Sequence, residues 1–234
     1  MPRHADYIYK LLKKAYLLCH SCVLLLAYRE FGQGKYKGEE VTWLSGNRIL
    51  LVADFEFTVH DVGPGKPRAF FPEVIEAGAV KLLPPVYTEI PVIQTFVKPH
   101  YFPKIKQECT NITMIQQKDV DGGIGFAELL ARMAEAYVPG STWLACWGDS
   151  DQKVLTQACQ RYKIPCPFDW SDYLDLALEY KLFHRRERSI GLQQAVVETG
   201  VERYGMSHLA MDDAVNAARV MVHMLGAGWE PGKR

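Results

Sequence analysis

The chain has 234 residues, enough for one substantial core with a small appendage. Its 27 Lys and Arg balance its 27 Asp and Glu, which excludes a global positive field as the means of recruiting a polyanion; local basic clusters or a metal would have to do so. Six scattered cysteines exclude a disulfide framework: only Cys19 and Cys22 have a two-residue gap, no second such pair completes a zinc site, and the thiols fit a reduced, cytoplasmic protein.

Residues 1–47 differ in character from the rest. Lys10, Lys13 and Lys14 precede an apolar stretch from Ala15 to Ala27 that is too short to span a bilayer and lacks a small-residue cleavage site, so no membrane partner is expected. The pattern predicts an amphipathic or core-packing helix, then a polar linker from Gly32 to Glu40. The catalytic-sized domain is expected over 48–228, with a tail at 229–234.

Ile49-Leu50-Leu51-Val52-Ala53 reads as a buried strand, and it runs straight into Asp54-Phe55-Glu56. Alternate residues of a strand share a face, so Asp54 and Glu56 point together while Phe55 turns away. Two carboxylates this close repel unless a cation lies between them. Val74 to Leu83 and Ile90 to Val97, separated by Pro84-Pro85, predict an antiparallel hairpin beside this strand. A helix from Gly125 to Tyr137 then leads through Pro139-Gly140 into a strand over Trp143 to Trp147, the crossover of an α/β sheet. Gly148-Asp149-Ser150-Asp151 opens a helix from Gln152 to Arg161. Near the end, Val215, Ala218, Val222 and Leu225 recur at helical spacing, with Asp212 and Asp213 in the first turn and His208 just before it.

Each downstream carboxylate also has a plain structural explanation. Asp149 and Asp151 suit helix caps, and Asp212 and Asp213 are favoured by the helix dipole. His208 belongs to no apolar stripe, which weakens its reading as a core histidine. Lys98, His100, Lys104 and Lys106, and His184, Arg185, Arg186 and Arg188, form two basic loops that solvated surface charge explains equally well.

Taken in order, Asp54, Glu56, Asp151, His208 and Asp213 closely resemble the DEDDh class of 3'-to-5' exonucleases, and in particular its ERI-type branch. Phe71-Pro72-Glu73-Val74-Ile75-Glu76 is similar to that branch's second strand. Cys109-Thr110-Asn111-Ile112-Thr113-Met114-Ile115 resembles its Cys-x-x-Leu-Thr-Gly-Ile element, with Met114 in place of glycine. Gly191-Leu192-Gln193-Gln194-Ala195, Gly200 and the run from His208 to Arg219 also fit. The unbroken Phe-Phe-Pro-Glu stretch, Pro167-Phe168 and Glu179-Tyr180-Lys181 look most like the KapD family of sporulation-inhibitor exonucleases.

The resemblance implies an α/β, RNase H-like mixed sheet flanked by helices, here carrying an N-terminal helical extension. It implies two Mg²⁺ ions, with Mn²⁺ as a substitute, held by Asp54, Glu56, Asp151 and Asp213, with His208 as general base. Asp149 and Asp212 are the rival ligands, set aside on family spacing and because one residue along a helix rotates a side chain by about 100°. Phe55, Phe57, Thr113 and Ile115 are the implied contacts to nucleic acid. The implied partner is a single-stranded 3' end of RNA or DNA, with a protein partner left open. Two other readings compete: a catalytically quiet RNase H-like module acting on a partner such as a sporulation phosphorelay, and a different metallohydrolase. Retention of every carboxylate and the histidine disfavours the first, and the lack of His-rich ligand clusters disfavours the second.

Overall fold

The computed structural model describes residues 34–36, 39–41, 48–60, 67–84 and 87–233, in two units that divide after Arg48. In the first unit, strands β1 (Gly34–Tyr36) and β2 (Glu39–Val41) pair antiparallel, Gly34 opposite Val41. A polar linker was the expectation there; three-residue strands are too short to leave a periodic signal. The expected helix over Ala15 to Ala27 and the Cys19/Cys22 pair lie outside the described residues.

The second unit is built on β3 (Ile49–Phe57), the central strand of a five-stranded sheet. β4 (Val74–Leu82) and β5 (Glu89–Phe96) follow as antiparallel neighbours on one side, as the two runs separated by Pro84-Pro85 predict. β6 (Thr142–Cys146) and β7 (Tyr173–Asp175) lie parallel on the other side, giving the order β5-β4-β3-β6-β7. Three helices carry the chain from β5 to β6: α1 (Gln107–Thr113), α2 (Gln117–Asp121) and α3 (Phe126–Ala136). After β6 come α4 (Ser150–Tyr162), then β7, α5 (Leu176–Phe183), α6 (Leu192–Thr199) and α7 (Ala210–Gly226).

Both faces of β3 are covered, which is why its sequence is continuously apolar rather than alternating. Leu51, Ala53 and Phe55 pack with Phe126, Leu129 and Met133 of α3 and Leu155 and Ala158 of α4. Leu50 and Val52 pack on the opposite side with Val215, Ala218 and Met221 of α7 and Leu192 and Val196 of α6. Phe126, Leu129, Leu130 and Met133 form one stripe at helical spacing, which fixes the buried face of α3. The result is the mixed sheet with flanking helices that the resemblance implies.

Trp229, expected in a tail, is buried instead in the α7-side core, and its indole Nε1 donates to Glu179 Oε2 at 3.1 Å. A lone tryptophan beyond a helix gives no periodic signal, but its ring is too large an apolar surface to leave in water. Among the described residues no helix is long and apolar enough to cross a membrane.

Candidate active site

Because successive β3 side chains alternate, the strand that buries Leu51, Ala53 and Phe55 on one side carries Asp54 and Glu56 on the other, in line with Leu50 and Val52. Across the antiparallel pair, Asp54 faces Gly78 and Glu56 faces Glu76. Gly78 has no side chain for a spatial reason: a Cβ there would lie 2.3 Å from the backbone N of Met211. The first turn of α7 therefore rests directly on the strand beside the two carboxylates.

That turn carries Asp213, and the loop before it carries His208. Asp213 Oδ1 accepts from Gln193 Nε2 of α6 at 2.9 Å, and Oδ2 accepts from the His208 backbone N–H at 2.8 Å. The His208 side chain is exposed, on a backbone with φ 63°. Other α7 side chains pin the same loop. Asn216, fully buried, accepts from the Tyr204 N–H at 2.8 Å and donates to the Tyr204 carbonyl at 2.9 Å. Arg219 Nη1 donates to the Glu202 carbonyl at 2.7 Å. Asp212 accepts from the Met206 N–H at 2.8 Å, over Gly205, where a Cβ would meet the Asp212 carboxylate at 2.0 Å. Asp212 is thus occupied in closing the loop.

Asp151, in the first turn of α4, is 6 % exposed, and the backbone amides of Asp151 and Phe55 lie where they favour its charged form. Asp149 faces solvent in an ion pair with Lys153 at 2.5 Å. The pairing holds Asp149 to its own helix, one turn along.

Glu56, His208 and Asp213 each offer a ligand atom within 4.8 Å of the others. Burial, then the charges of Asp151, Glu56, Asp213 and Glu76, push Asp54 well above the usual carboxylate range. Glu56 is pushed up to about 8 by burial and then by Asp213, Glu76 and Asp151. Asp151 rises to about 7, chiefly through burial, against the lowering effect of its backbone donors. Asp213 is raised by burial, opposed by the His208 N–H. Neither Asp54 nor Glu56 gains a lowering hydrogen bond from another described residue. A set of oxygen donors that cannot all ionise unaided, with no cysteine among them, fits a hard divalent cation such as Mg²⁺.

Three of the four implied nucleic-acid contacts need correction. Phe55 is 4 % exposed in the core on the far side of β3. Thr113 and Ile115 are buried as well; the Thr113 hydroxyl donates to the Cys109 carbonyl and accepts from the Ile115 N–H. Ile115 packs with Ile75, Cys109 and Val120. Phe57 is partly exposed, and Met114, 62 % exposed between the two buried residues, faces solvent together with Asn111 and Ile112 of the same element. Met114 sits at φ 60°, the left-handed conformation that suits the glycine of the resembling element. Of the basic loops, Lys98, His100, Lys104 and Lys106 are exposed, whereas Arg186 is held by Glu198 at 2.7 Å. Glu76, Gln193 and Asn216 support the site; each lies within a family-like segment of the sequence, but a lone polar residue in an apolar segment reveals its partner only in three dimensions.

The family described as Exonuclease (RNase_T) matches residues 51–221. A protein named "Probable 3'-5' exonuclease KapD" from Bacillus subtilis (strain 168) is 39% identical over 171 residues, covering 73% of this chain and 82% of the relative. "ERI1 exoribonuclease 2" of Homo sapiens is 29% identical over 76% of this chain, and the chain spans only 28% of that relative's length. Among solved structures, "the nuclease domain of 3'hExo, a DEDDh family member, bound to rAMP" superposes with a TM-score of 0.69 at 25% identity, over 79% of this chain and 94% of that one.

Proposed function

Since the chain belongs to the exonuclease family and is a 3'-to-5' exonuclease of the DEDDh type, we propose that it removes nucleotides from single-stranded 3' ends of RNA or DNA with two divalent ions and a histidine base. One observation carries this reading: carboxylates from β3, α4 and α7 converge, Glu56, His208 and Asp213 each offer a ligand atom within 4.8 Å of the others, and Asp54 and Glu56 are held above the usual carboxylate range by burial and by the acids around them.

Asp54 would touch both Mg²⁺ or Mn²⁺ ions, with Glu56 and Asp213 on one and Asp151 on the other. When bound, such a pair supplies charge neutralisation at the phosphate and lowers the cost of ionising a water. The chain does the rest. The His208 imidazole, exposed beside Glu56 and Asp213, takes the proton of the attacking water at a ring nitrogen. Its backbone is tied to Asp213, so base and ligand move as one unit. The exposed Met114 and half-exposed Phe57 are the candidates for contact with a nucleotide. The RNA reading draws support from the exoribonuclease relative and the rAMP-bound neighbour.

The test is purified protein with 5'-labelled RNA and DNA of one sequence, each with a 3' hydroxyl or a 3' phosphate, with and without Mg²⁺. The expected result is metal-dependent shortening from a free 3' hydroxyl with release of 5' mononucleotides. Cleavage of a circular single strand, or activity untouched by chelation, would overturn the proposal.

A further inference from the structure

We infer that Glu76 is a positioning residue for catalysis: its carboxylate clamps the first turn of α7 to β4 and so holds His208 and Asp213 against Glu56. The inference rests on the proposed site.

Glu76 is 6 % exposed and lies directly opposite Glu56 in the β3–β4 register. Like charges on facing positions of a sheet are unfavourable, and burial and neighbouring acids raise the Glu76 carboxyl. A sheet selected for stability alone would place an apolar residue here, as it does at the next same-face position but one, Val80. What the carboxylate gains is the backbone N–H of Ala210, the first residue of α7, which donates to Glu76 Oε2 at 3.1 Å. That N–H is one of the four at a helix start with no partner in the helix itself.

Two residues along the same face, Gly78 lets the Ala210–Met211 backbone descend onto the strand. Glycine provides the approach and Glu76 provides the latch. The latched turn is also internally stiff. Asp213 holds His208, Asp212 holds Met206, and Asn216 holds Tyr204, so the loop and helix start form one body, which meets β4 through the Glu76 hydrogen bond and through close backbone packing at Gly78. A shift of that body would move the base and one ligand together relative to Asp54 and Glu56. Displacements of about 1 Å at a reacting centre are enough to cost 10²-fold in rate.

Glu76→Ala and Glu76→Gln in the full chain separate the possibilities, because glutamine keeps an acceptor oxygen and loses the charge. With wild type active, Glu76→Ala is expected to lower kcat by about 10- to 100-fold while KM for a 3'-hydroxyl oligonucleotide stays within about twofold. Glu76→Gln should recover most of that loss. In metal-free protein, amide exchange over residues 205–213 should quicken in Glu76→Ala and stay near wild type in Glu76→Gln. Equal loss in both variants would mean that the charge acts directly, and a loss in Glu76→Ala that tracks only its unfolded fraction would mean a purely structural role. Either outcome, or no loss at all, overturns the inference. An inactive wild type would instead defeat the exonuclease reading itself.

Discussion

Two carboxylate sites lie close together in the sheet, one buried just before β4 and one half-buried at the end of β3, and they are solved in opposite ways. Glu73, 1 % exposed just before β4, accepts from the backbone N–H groups of His100, Tyr101 and Phe102 at 2.8, 3.0 and 2.6 Å, and from the Tyr162 hydroxyl. Around it Phe71, Tyr101, Phe102 and Tyr162 close an aromatic shell. Asp54 and Glu56, at the end of β3, have instead three acidic neighbours and no described donor. Glu73 is a finished structural joint, in which the protein supplies every donor the anion needs. The β3 pair is left unfinished by the protein, and the proposed divalent cation would complete it. Burial and acidity alone do not distinguish a ligand from a strut; the supply of donors does.

Removing the unfinished pair should produce the largest effect. Asp54→Ala or Glu56→Ala is expected to lower turnover by about 10³-fold or more, as loss of several kcal/mol of metal-borne stabilisation requires. Their metal-free unfolding midpoints should stay at or above that of wild type, because the repulsion is removed with the side chain. A stability loss matching the rate loss would make the pair structural after all. His208→Ala comes next, with a fall of about 10²- to 10⁴-fold in kcat and little change in metal affinity measured by calorimetry. Unchanged turnover would remove the imidazole from the mechanism.

Glu73→Ala should invert the pattern. It strands three backbone N–H groups and is expected to cost about 3 kcal/mol in urea unfolding, with the rate per folded molecule near wild type. A variant that stays stable and loses activity would erase the contrast between the two sites.

The subtlest difference lies in pH. Glu56, raised from 4.5 to about 8 in the folded protein, keeps its proton across a window where the unfolded chain has released its own. The folded state then binds more protons, so metal-free stability is highest below about pH 4.5 and declines as pH rises toward 8. Thermal melts should show this decline, Mg²⁺ should offset it more at pH 8 than at pH 5, and Glu56→Gln should flatten part of the slope. A Mg²⁺ increment that is the same at both pH values would contradict the electrostatic account.

The sequence by itself determined much of the frame. The run from Ile49 to Ala53 reads as a buried strand, strand alternation places Asp54 and Glu56 together, and the spacing of Val215, Ala218 and Val222 makes a helix with Asp212 and Asp213 in its first turn. These signals are local, since period and side-chain direction follow from backbone geometry alone. Tertiary structure decided which acid of each pair turns inward: Asp151 and Asp213 are buried, while Asp149 pairs with Lys153 and Asp212 caps Met206. It also sent Phe55, Thr113 and Ile115 into the core, folded Trp229 back beneath α5, and brought Glu76 under the start of α7. Burial and hydrogen-bond partners belong to pairs of segments; Glu76 and Ala210 stand 134 residues apart in the chain and meet only because β4 and α7 pack together.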